Sequence, residues 1–299
     1  MKTSIRAALL SVAAPALIIG PGLASCSNTP TQDQAEQTAA QENLSEPLSA
    51  GQAPAGQGGA GQGESERNAR ALLKGMSDYL AAQNVISMSY DSIFEVVSED
   101  HQKLQIATSG TVDLNRPDKI RTTRKSGFSD TEMVYDGKTL SFLGKGQNAY
   151  VQTEAPGTVD QLIDQLRDKF HRQLPGADLL QTGVFEELMA EVTDVKDLGS
   201  GVIGGVECDH LAFRARDTDW QIWIAQGPDK HPCRYVITSK GVDQAPQFAL
   251  EVREWKAGGG AADFSFKPPA GARQMAIADL KNLKETADLP ENYRIGAAR

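Results

Sequence analysis

Two Cys–His motifs carry the residue types best suited to chemistry. Cys208 and His210 are two positions apart, and so are His231 and Cys233. Residues two apart in a strand point to the same face, and two cysteines with two histidines are a known zinc ligand set. The sequence therefore offers one pattern typical of a metal site, which competes with structural roles for the same cysteines.

Motifs for catalysis are otherwise missing from the sequence. The chain has four histidines, no Gly-x-Ser-x-Gly nucleophile motif, no phosphate-binding glycine loop and no His-Glu-x-x-His helix. Acidic pairs such as Glu186–Glu187 are far more often solvated surface charges than acid–base pairs. We therefore predict that the chain is not an enzyme and that it has no catalytic residue, no bound metal and no cofactor.

The third cysteine, Cys26, ends a segment with the order of a secretion signal. Lys2 and Arg6 precede an apolar run over 7–19, which Leu23-Ala24-Ser25-Cys26 closes. This ending resembles the lipobox, where bacteria attach diacylglycerol, with fatty acids such as palmitate, to the thiol and cut before the cysteine. We expect a signal peptide over 1–25 and a lipid anchor at Cys26. An ordinary signal peptide that contains a cysteine is the alternative.

The compartment bears on the other two cysteines. Ser27 stands where enterobacterial lipoproteins of the inner membrane carry aspartate, which favours the outer membrane and its periplasmic face. In that oxidising compartment Cys208 and Cys233 form an even pair suited to a disulfide. A simple meander, however, separates them by about 10 Å, beyond disulfide reach unless the chain bends near Pro232. A disulfide and two free buried thiols therefore both stay open.

Composition divides the rest of the chain. Residues 26–64 are rich in Gln, Ala and Gly and cannot bury enough apolar surface to fold, so we predict a disordered tether behind the lipidated cysteine. Residues 65–272 are predicted to form one domain, and 273–299 a C-terminal helical tail. The chain has 30 basic and 39 acidic residues, which argues against a nucleic-acid partner.

Periodicity predicts helices set against many strands. One apolar stripe predicts a helix from Arg67 to Leu80, and Thr158 with Gln161 forms a capping box ahead of helices within 157–190. Alternation predicts strands between Ile86 and Leu114 and a hairpin at 136–137. Further strands are expected near 191–203, 205–215, 218–226, 231–240, 247–256 and 263–267. The predicted class is α+β, with about ten or eleven strands in one curved antiparallel sheet.

Three segments resemble the periplasmic lipoprotein-carrier and outer-membrane lipoprotein-receptor superfamily. They are 115–121 (Asn-Arg-Pro-Asp-Lys-Ile-Arg), 136–140 (Asp-Gly-Lys-Thr-Leu) and 264–271 (Phe-Ser-Phe-Lys-Pro-Pro-Ala-Gly). Within it, 155–158 and 219–224 resemble domain-of-unknown-function family 2092, a family of predicted periplasmic proteins. The resemblance implies an incomplete β-barrel wrapped around helices that form a lid.

The resemblance also implies a binding site. In the carriers the concave apolar face receives acyl chains, and the arginine of the Arg-Pro motif bonds to lid backbone to hold the empty cavity closed. Arg116 matches that arginine, and a surface arginine beside a turn is the alternative. From the apolar rows of the strands, we expect the cavity to be lined by Met88, Tyr90, Phe94, Ile106, Trp220, Ile222, Phe248 and Leu250.

A lipid anchor would prevent the shuttling that soluble carriers perform. The expected function is therefore non-catalytic binding of an apolar ligand, a lipid or the acyl chain of a lipoprotein, close to a membrane. The alternative is an envelope sensor or protein-interaction module without a bound lipid, which would have an envelope protein as its partner.

Overall fold

The structure is a computed structural model that describes residues 58–168, 176–260 and 262–282. Cys26, the predicted signal peptide and the predicted tether up to residue 57 lie outside the described residues. The first described helix begins at Gly58, inside the predicted tether rather than after it. Glu66 and Arg70 pair along this helix at the favourable spacing of four, with Oε1 and Nη2 2.8 Å apart.

Within the described residues, twelve strands accompany three α-helices and two 3₁₀ helices. The helices are α1 (Gly58–Ala82), α2 (Val159–Asp168) and α3 (Val184–Met189), with 3₁₀ helices at Ala177–Leu180 and Ile277–Asn282. The strands are β1 (Val85–Val97), β2 (Lys103–Asn115), β3 (Lys119–Lys125), β4 (Asp130–Tyr135), β5 (Thr139–Gly144), β6 (Ala149–Glu154), β7 (Val192–Ile203), β8 (Val206–Ala215), β9 (Thr218–Ala225), β10 (Pro232–Ser239), β11 (Gln247–Ala257) and β12 (Arg273–Met275).

All twelve strands belong to one open, curved sheet. Its order is β12-β6-β5-β4-β3-β2-β1-β11-β10-β9-β8-β7, so two meanders meet where β1 pairs with β11. Neighbours are antiparallel except β12, which runs parallel to β6. The predicted α+β class with a curved antiparallel sheet is confirmed, and β12 brings the number of strands to twelve.

Helix α2 forms where the capping box predicted it. The Gln161 backbone N–H donates to Thr158 Oγ1 at 3.2 Å, and the Thr158 N–H donates to Gln161 Oε1 at 2.9 Å. This reciprocal pair satisfies two N–H groups that a helix start leaves unbonded. The face that follows is buried, and it comprises Val159, Leu162, Ile163 and Leu166.

The predicted hairpin at Asp136–Gly137 joins β4 to β5. The Asp136 carboxylate accepts hydrogen bonds from the backbone N–H groups of Lys138 and Thr139, at 3.0 and 2.7 Å. Gly137 has φ 93°, which few residues other than glycine adopt without strain. A short polar side chain and one glycine therefore fix this turn.

The predicted strand at 263–267 is wrong. Residues 262–269 pair with no strand; they cross the convex face of the sheet, opposite the helices. Arg121 Nη1 donates to the Asp263 carbonyl at 2.8 Å, Phe264 is buried, and the Phe266 ring lies 5.5 Å from that of Tyr150. The alternating phenylalanines therefore reflect packing on a sheet face rather than a place in the sheet.

The C-terminal segment continues from this crossing to the sheet edge. Residues 273–275, predicted as the start of a helical tail, form β12 beside β6. Beyond it, Met275, Ile277 and Leu280 pack against the buried side chains of Ala149 and Val151. The free edge of β6 is thereby covered.

Two apolar clusters fill the space between the concave face and the helices. The first joins α1, α3 and Leu179 to strands β7–β11, and its buried members from the strands include Leu211, Phe213, Trp220, Ile222, Tyr235, Ile237, Phe248 and Leu250. The second joins α2 to β1–β5, with strand members Ile86, Val112, Leu114, Ile120, Met133, Tyr135 and Leu140. Tyr90 and Trp255 contact both clusters.

Candidate functional site

The eight residues predicted to line a cavity share the concave face. Strand register connects them, because Phe94 stands opposite both Ile106 and Phe248, and residues opposite each other point to one side. Tyr235 stands between Leu250 and Ile222 in the same way, and Ile237 between Phe248 and Trp220. The alternation in the sequence thus identified one continuous face across five strands.

Four of the eight are packed into the first cluster. Trp220, Ile222, Phe248 and Leu250 are each no more than 7% exposed and contact side chains of α1 and α3. The Trp220 ring stacks on Phe213 at 3.9 Å and meets the edge of Tyr235 at 5.9 Å. This part of the concave face is the interior of the domain.

The other four are covered less completely. Met88, Tyr90, Phe94 and Ile106 are half-buried, and we call them the open row. Ile106 belongs to neither cluster. Leu104, two positions before it on β2, is also half-buried, whereas Val96, which stands opposite Leu104 on β1, is 1% exposed. Apolar surface at Phe94, Ile106 and Leu104 is therefore only partly covered by the described helices.

Tyr90 lies at the centre of the open row, over a glycine of the neighbouring strand. Gly110 stands opposite Tyr90, and a Cβ at that position would lie 2.6 Å from the Tyr90 hydroxyl oxygen. Only glycine leaves room for the ring there. Burial raises the pKa of Tyr90, and the nearby charge of Arg124 opposes the rise. Arg124 is itself half-buried and stands opposite Gly110 on β3, so it lies on the same face.

Arg116, the predicted lid-closing residue, connects three separate segments. Its side chain is 7% exposed. Nε donates to the Gln83 carbonyl at the end of α1, at 3.2 Å, and Nη2 lies 3.5 Å from the Gln181 carbonyl, just before α3. Nη1 is 3.9 Å from a carboxylate oxygen of Asp160 in α2. Burial lowers the pKa of the guanidinium, and Asp160 opposes that change.

Asp160 and Asp178 extend these connections, and no motif in the sequence pointed to either residue. Asp160 Oδ2 accepts hydrogen bonds from both the backbone N–H and the hydroxyl of Thr182. The buried Asp178 carboxylate accepts the Tyr235 hydroxyl at 3.3 Å. The segment from Gly176 to Thr182 is thereby held to α2, to β10 and to Arg116. An isolated aspartate has no sequence pattern that distinguishes such a role from that of a surface charge.

Within the described residues, the two Cys–His motifs do not converge into one set of four potential ligands. The ring centroids of His210 and Trp223 are 4.0 Å apart, and those of His231 and Trp255 are 5.3 Å apart, so each histidine stacks on a different tryptophan. No cluster of three or more potential ligands is found within the part of the chain that the structure describes. Cys208 and Cys233 are both buried, and their Sγ atoms lie 2.6 Å apart.

Among the described helices, none combines the length and the apolar character needed to cross a membrane. Comparison with curated proteins gives no match.

Solved structures give several distant similarities. LprF from Mycobacterium bovis has a TM-score of 0.43 at 14% identity, over 67% of this chain and 98% of LprF. The Mycobacterium tuberculosis lipoprotein LppX has a TM-score of 0.34 at 12% identity, over 66% of this chain and 100% of LppX. A chain of the Pseudomonas aeruginosa MucA/MucB complex has a TM-score of 0.36 at 12% identity, over 66% of this chain and 59% of that chain. At these scores the similarities carry no information about a ligand.

The family comparison covers most of the folded part. The model of the family described as predicted periplasmic protein (DUF2092) matches residues 69–278, from the first buried turn of α1 into the last 3₁₀ helix. The matched range includes Arg116 and all eight residues of the predicted cavity. The chain belongs to this family of predicted periplasmic proteins.

Proposed function

We propose that this protein is a lipid-anchored periplasmic binding protein that holds an apolar ligand, a lipid or the acyl chain of a lipoprotein, against the concave face of its sheet. The observation that carries the proposal is the open row, in which Met88, Tyr90, Phe94 and Ile106 leave apolar surface only half-covered beside a packed core. An acyl chain that covers this surface gains roughly 25 cal/mol for each Å² removed from water.

The chemistry of the row suits a chain with a polar end. Its members are a thioether, two aromatic rings and an aliphatic side chain, which contact methylene groups without needing hydrogen bonds. Arg124 lies on the same face beside Tyr90 and brings a positive charge to this part of the face. A fatty acid or an anionic phospholipid therefore fits better than a neutral hydrocarbon.

A pair of neighbouring residues tests the proposal. Phe94 lies on the concave face, whereas Ile93, the residue directly before it, is 38% exposed on the convex face. Phe94→Asp places a charge in the binding surface and should weaken binding of a fluorescent fatty acid at least tenfold, because burying an unpaired carboxylate is costly. Ile93→Asp adds the same charge outside the site and should leave binding unchanged.

Native mass spectrometry of the purified protein, before and after lipid extraction, completes the test. A bound lipid that disappears on extraction and is reduced in Phe94→Asp supports the proposal. Equal binding by both variants, or binding by neither the wild-type protein nor the variants, contradicts it.

The proposed anchor is tested separately. Cys26→Ser removes the thiol that would carry the lipid, so we expect the protein to move from the membrane pellet to the soluble fraction. If the Cys26→Ser protein still sediments with membranes as the wild-type protein does, an anchor at this residue is ruled out. Acyl-probe binding should be the same in this variant, because Cys26 precedes the tether predicted ahead of the domain.

A protein-interaction module is the second candidate function, and the β7–β8 hairpin favours it. β7 is an edge strand of the sheet, and Leu198, Val202 and Val206 at this hairpin are 48%, 65% and 42% exposed. Exposed apolar side chains on a sheet edge are a common surface for a partner strand. Should purified protein bind no acyl probe while Val202→Asp abolishes association with an envelope protein, this function would replace lipid binding.

A further inference from the structure

Cys208 and Cys233 belong to strands that are not neighbours. Cys208 lies on β8 and Cys233 on β10, and β9 runs between them, with Ala225 directly opposite Cys208. Two strand spacings amount to about 10 Å, whereas the Cβ atoms of a disulfide are about 4 Å apart. Regular pairing would therefore keep the two sulfur atoms apart.

A β-bulge at Cys233 removes this obstacle. Pro232 stands opposite Ile224 and Arg234 opposite Trp223, so Cys233 is an extra residue against two consecutive residues of β9. A bulge bends its strand and changes the direction of the side chain at the extra residue. The residue of β9 opposite Cys208 is Ala225, whose small side chain is buried in one cluster with the two cysteines. The two Sγ atoms consequently lie 2.6 Å apart, closer than sulfur atoms that are not bonded approach each other.

We infer that Cys208 and Cys233 form a disulfide that joins β8 to β10 across β9 in the exported protein. The bond forms when two S–H bonds lose two protons and two electrons. The electron acceptor is the disulfide of a thiol–disulfide oxidoreductase in the compartment to which the chain is exported. That disulfide is reduced to a dithiol. One cysteine of this chain attacks that disulfide to give a mixed disulfide, and the other then displaces the oxidoreductase thiol.

The surroundings of the pair indicate when this happens. Both side chains are buried, with Ile203, Trp223 and Ala225 packed around them on the convex face. Burial raises the pKa of the Cys208 thiol, and burial with the neighbouring Cys208 sulfur raises that of Cys233 further. Thiolates are the attacking species, so oxidation has to precede the final packing of this cluster.

The bond would hold a segment that contacts α1. Residues 226–231 link β9 to β10, and Cys233 is the second residue of β10. Within this link, His231 stacks on Trp255 at 5.3 Å, and Trp255 Nε1 donates to the Tyr79 hydroxyl of α1 at 3.2 Å. The Lys230 side chain lies against Gly75, also in α1, where a Cβ would be 3.4 Å from its Nζ. A disulfide at the base of the link therefore fixes the contact between α1 and the sheet.

Thiol counting in the Cys26→Ser background tests the inference, because the chain has three cysteines and this variant keeps only Cys208 and Cys233. The exported protein is denatured and treated with a maleimide-linked polymer, which adds to free thiols, with and without prior reduction. We expect no addition before reduction and two additions after it, and one linked peptide pair that contains both cysteines in a non-reducing digest. Two additions without reduction, or a disulfide to another molecule, would overturn the inference.

Thermal unfolding gives an independent measurement. Reductant should lower the Tm of the Cys26→Ser protein by about 10 °C, as expected for a loop of this length in a domain of this size. In the matched control, Cys26→Ser with Cys208→Ser and Cys233→Ser, reductant should have no effect. An equal shift in both proteins, or none in either, would contradict the proposed bond.

Discussion

Two regions of the sheet carry the same alternation of apolar and polar residues but are covered differently on their concave faces. In β7–β11, Trp220 and Ile222 are fully buried against α1 and α3. On β1 and β2, Phe94 and Ile106 are only half-buried. The pattern along a strand therefore determines which face is apolar, but the helices that lie on that face determine whether it becomes core or binding surface.

Trp220→Ala provides the largest test of this difference. Removing a ring that is 1% exposed and stacked on Phe213 should destabilise the domain by about 3–5 kcal/mol, through lost burial and the cavity left behind. Trp223→Ala, on the convex face, should cost only about 1 kcal/mol. Denaturant unfolding measures both. Equal losses would mean that the β7–β11 half is not filled in the way described.

Arg116→Leu tests the connection that Arg116 makes between the end of α1, α2 and the segment before α3. The change leaves the Gln83 and Gln181 carbonyls without this donor and Asp160 without its cation, at a cost of about 2 kcal/mol. Hydrogen exchange should become faster at Gln181 to Met189 more than elsewhere. Arg253→Leu, which removes an exposed partner of Asp91, is the control and should cost less than about 1 kcal/mol. If both variants lose the same stability without local exchange, the predicted lid-closing role fails.

The smallest expected effect is the pH dependence that His231 contributes. Its stacking on Trp255 buries the ring, which lowers the pKa of His231 from its ordinary value of 6.5, partly offset by the Asp229 carbonyl. The unfolded chain therefore binds the proton first as the pH falls, so the free energy of unfolding decreases below about pH 6.5. After screening by solvent, we expect a loss below about 1 kcal/mol.

His231→Phe is the matched variant, because it retains an aromatic stack and cannot be protonated. Its unfolding free energy should change less between pH 7.5 and 5.5 than that of the wild-type protein. The same slope in both would assign the pH dependence to other groups.

Local signals in the sequence predicted local structure well. The Thr158–Gln161 capping box and the Asp136 turn formed as predicted, because each depends on hydrogen bonds within four residues. The facing of the eight apolar residues was also correct, since alternation has a fixed period. These signals are complete in the chain itself and need no information about distant segments.

Features that depend on distant segments were not predictable in the same way. The alternating Phe264 and Phe266 predicted a strand but cross the convex face, because their neighbours are Arg121 and Tyr150 rather than a paired strand. The approach of Cys208 to Cys233 required a bulge that regular spacing does not contain. Which of the eight residues would be fully buried depended on the position of α1. The apolar stripe of this helix does not indicate which strands the helix packs against.

The pairing of β1 with β11 has a consequence for the order in which the chain is made. Proteins are synthesised from the N-terminus, and β1 finds its first neighbour, β2, within a few residues. Its second neighbour ends at Ala257, so one side of β1 keeps unpaired backbone groups until nearly the whole sheet has been synthesised. A ribosome that stops before Gln247 releases a chain whose two meanders cannot join. The β11 side of β1 therefore stays exposed until the last long strand of the sheet has been made.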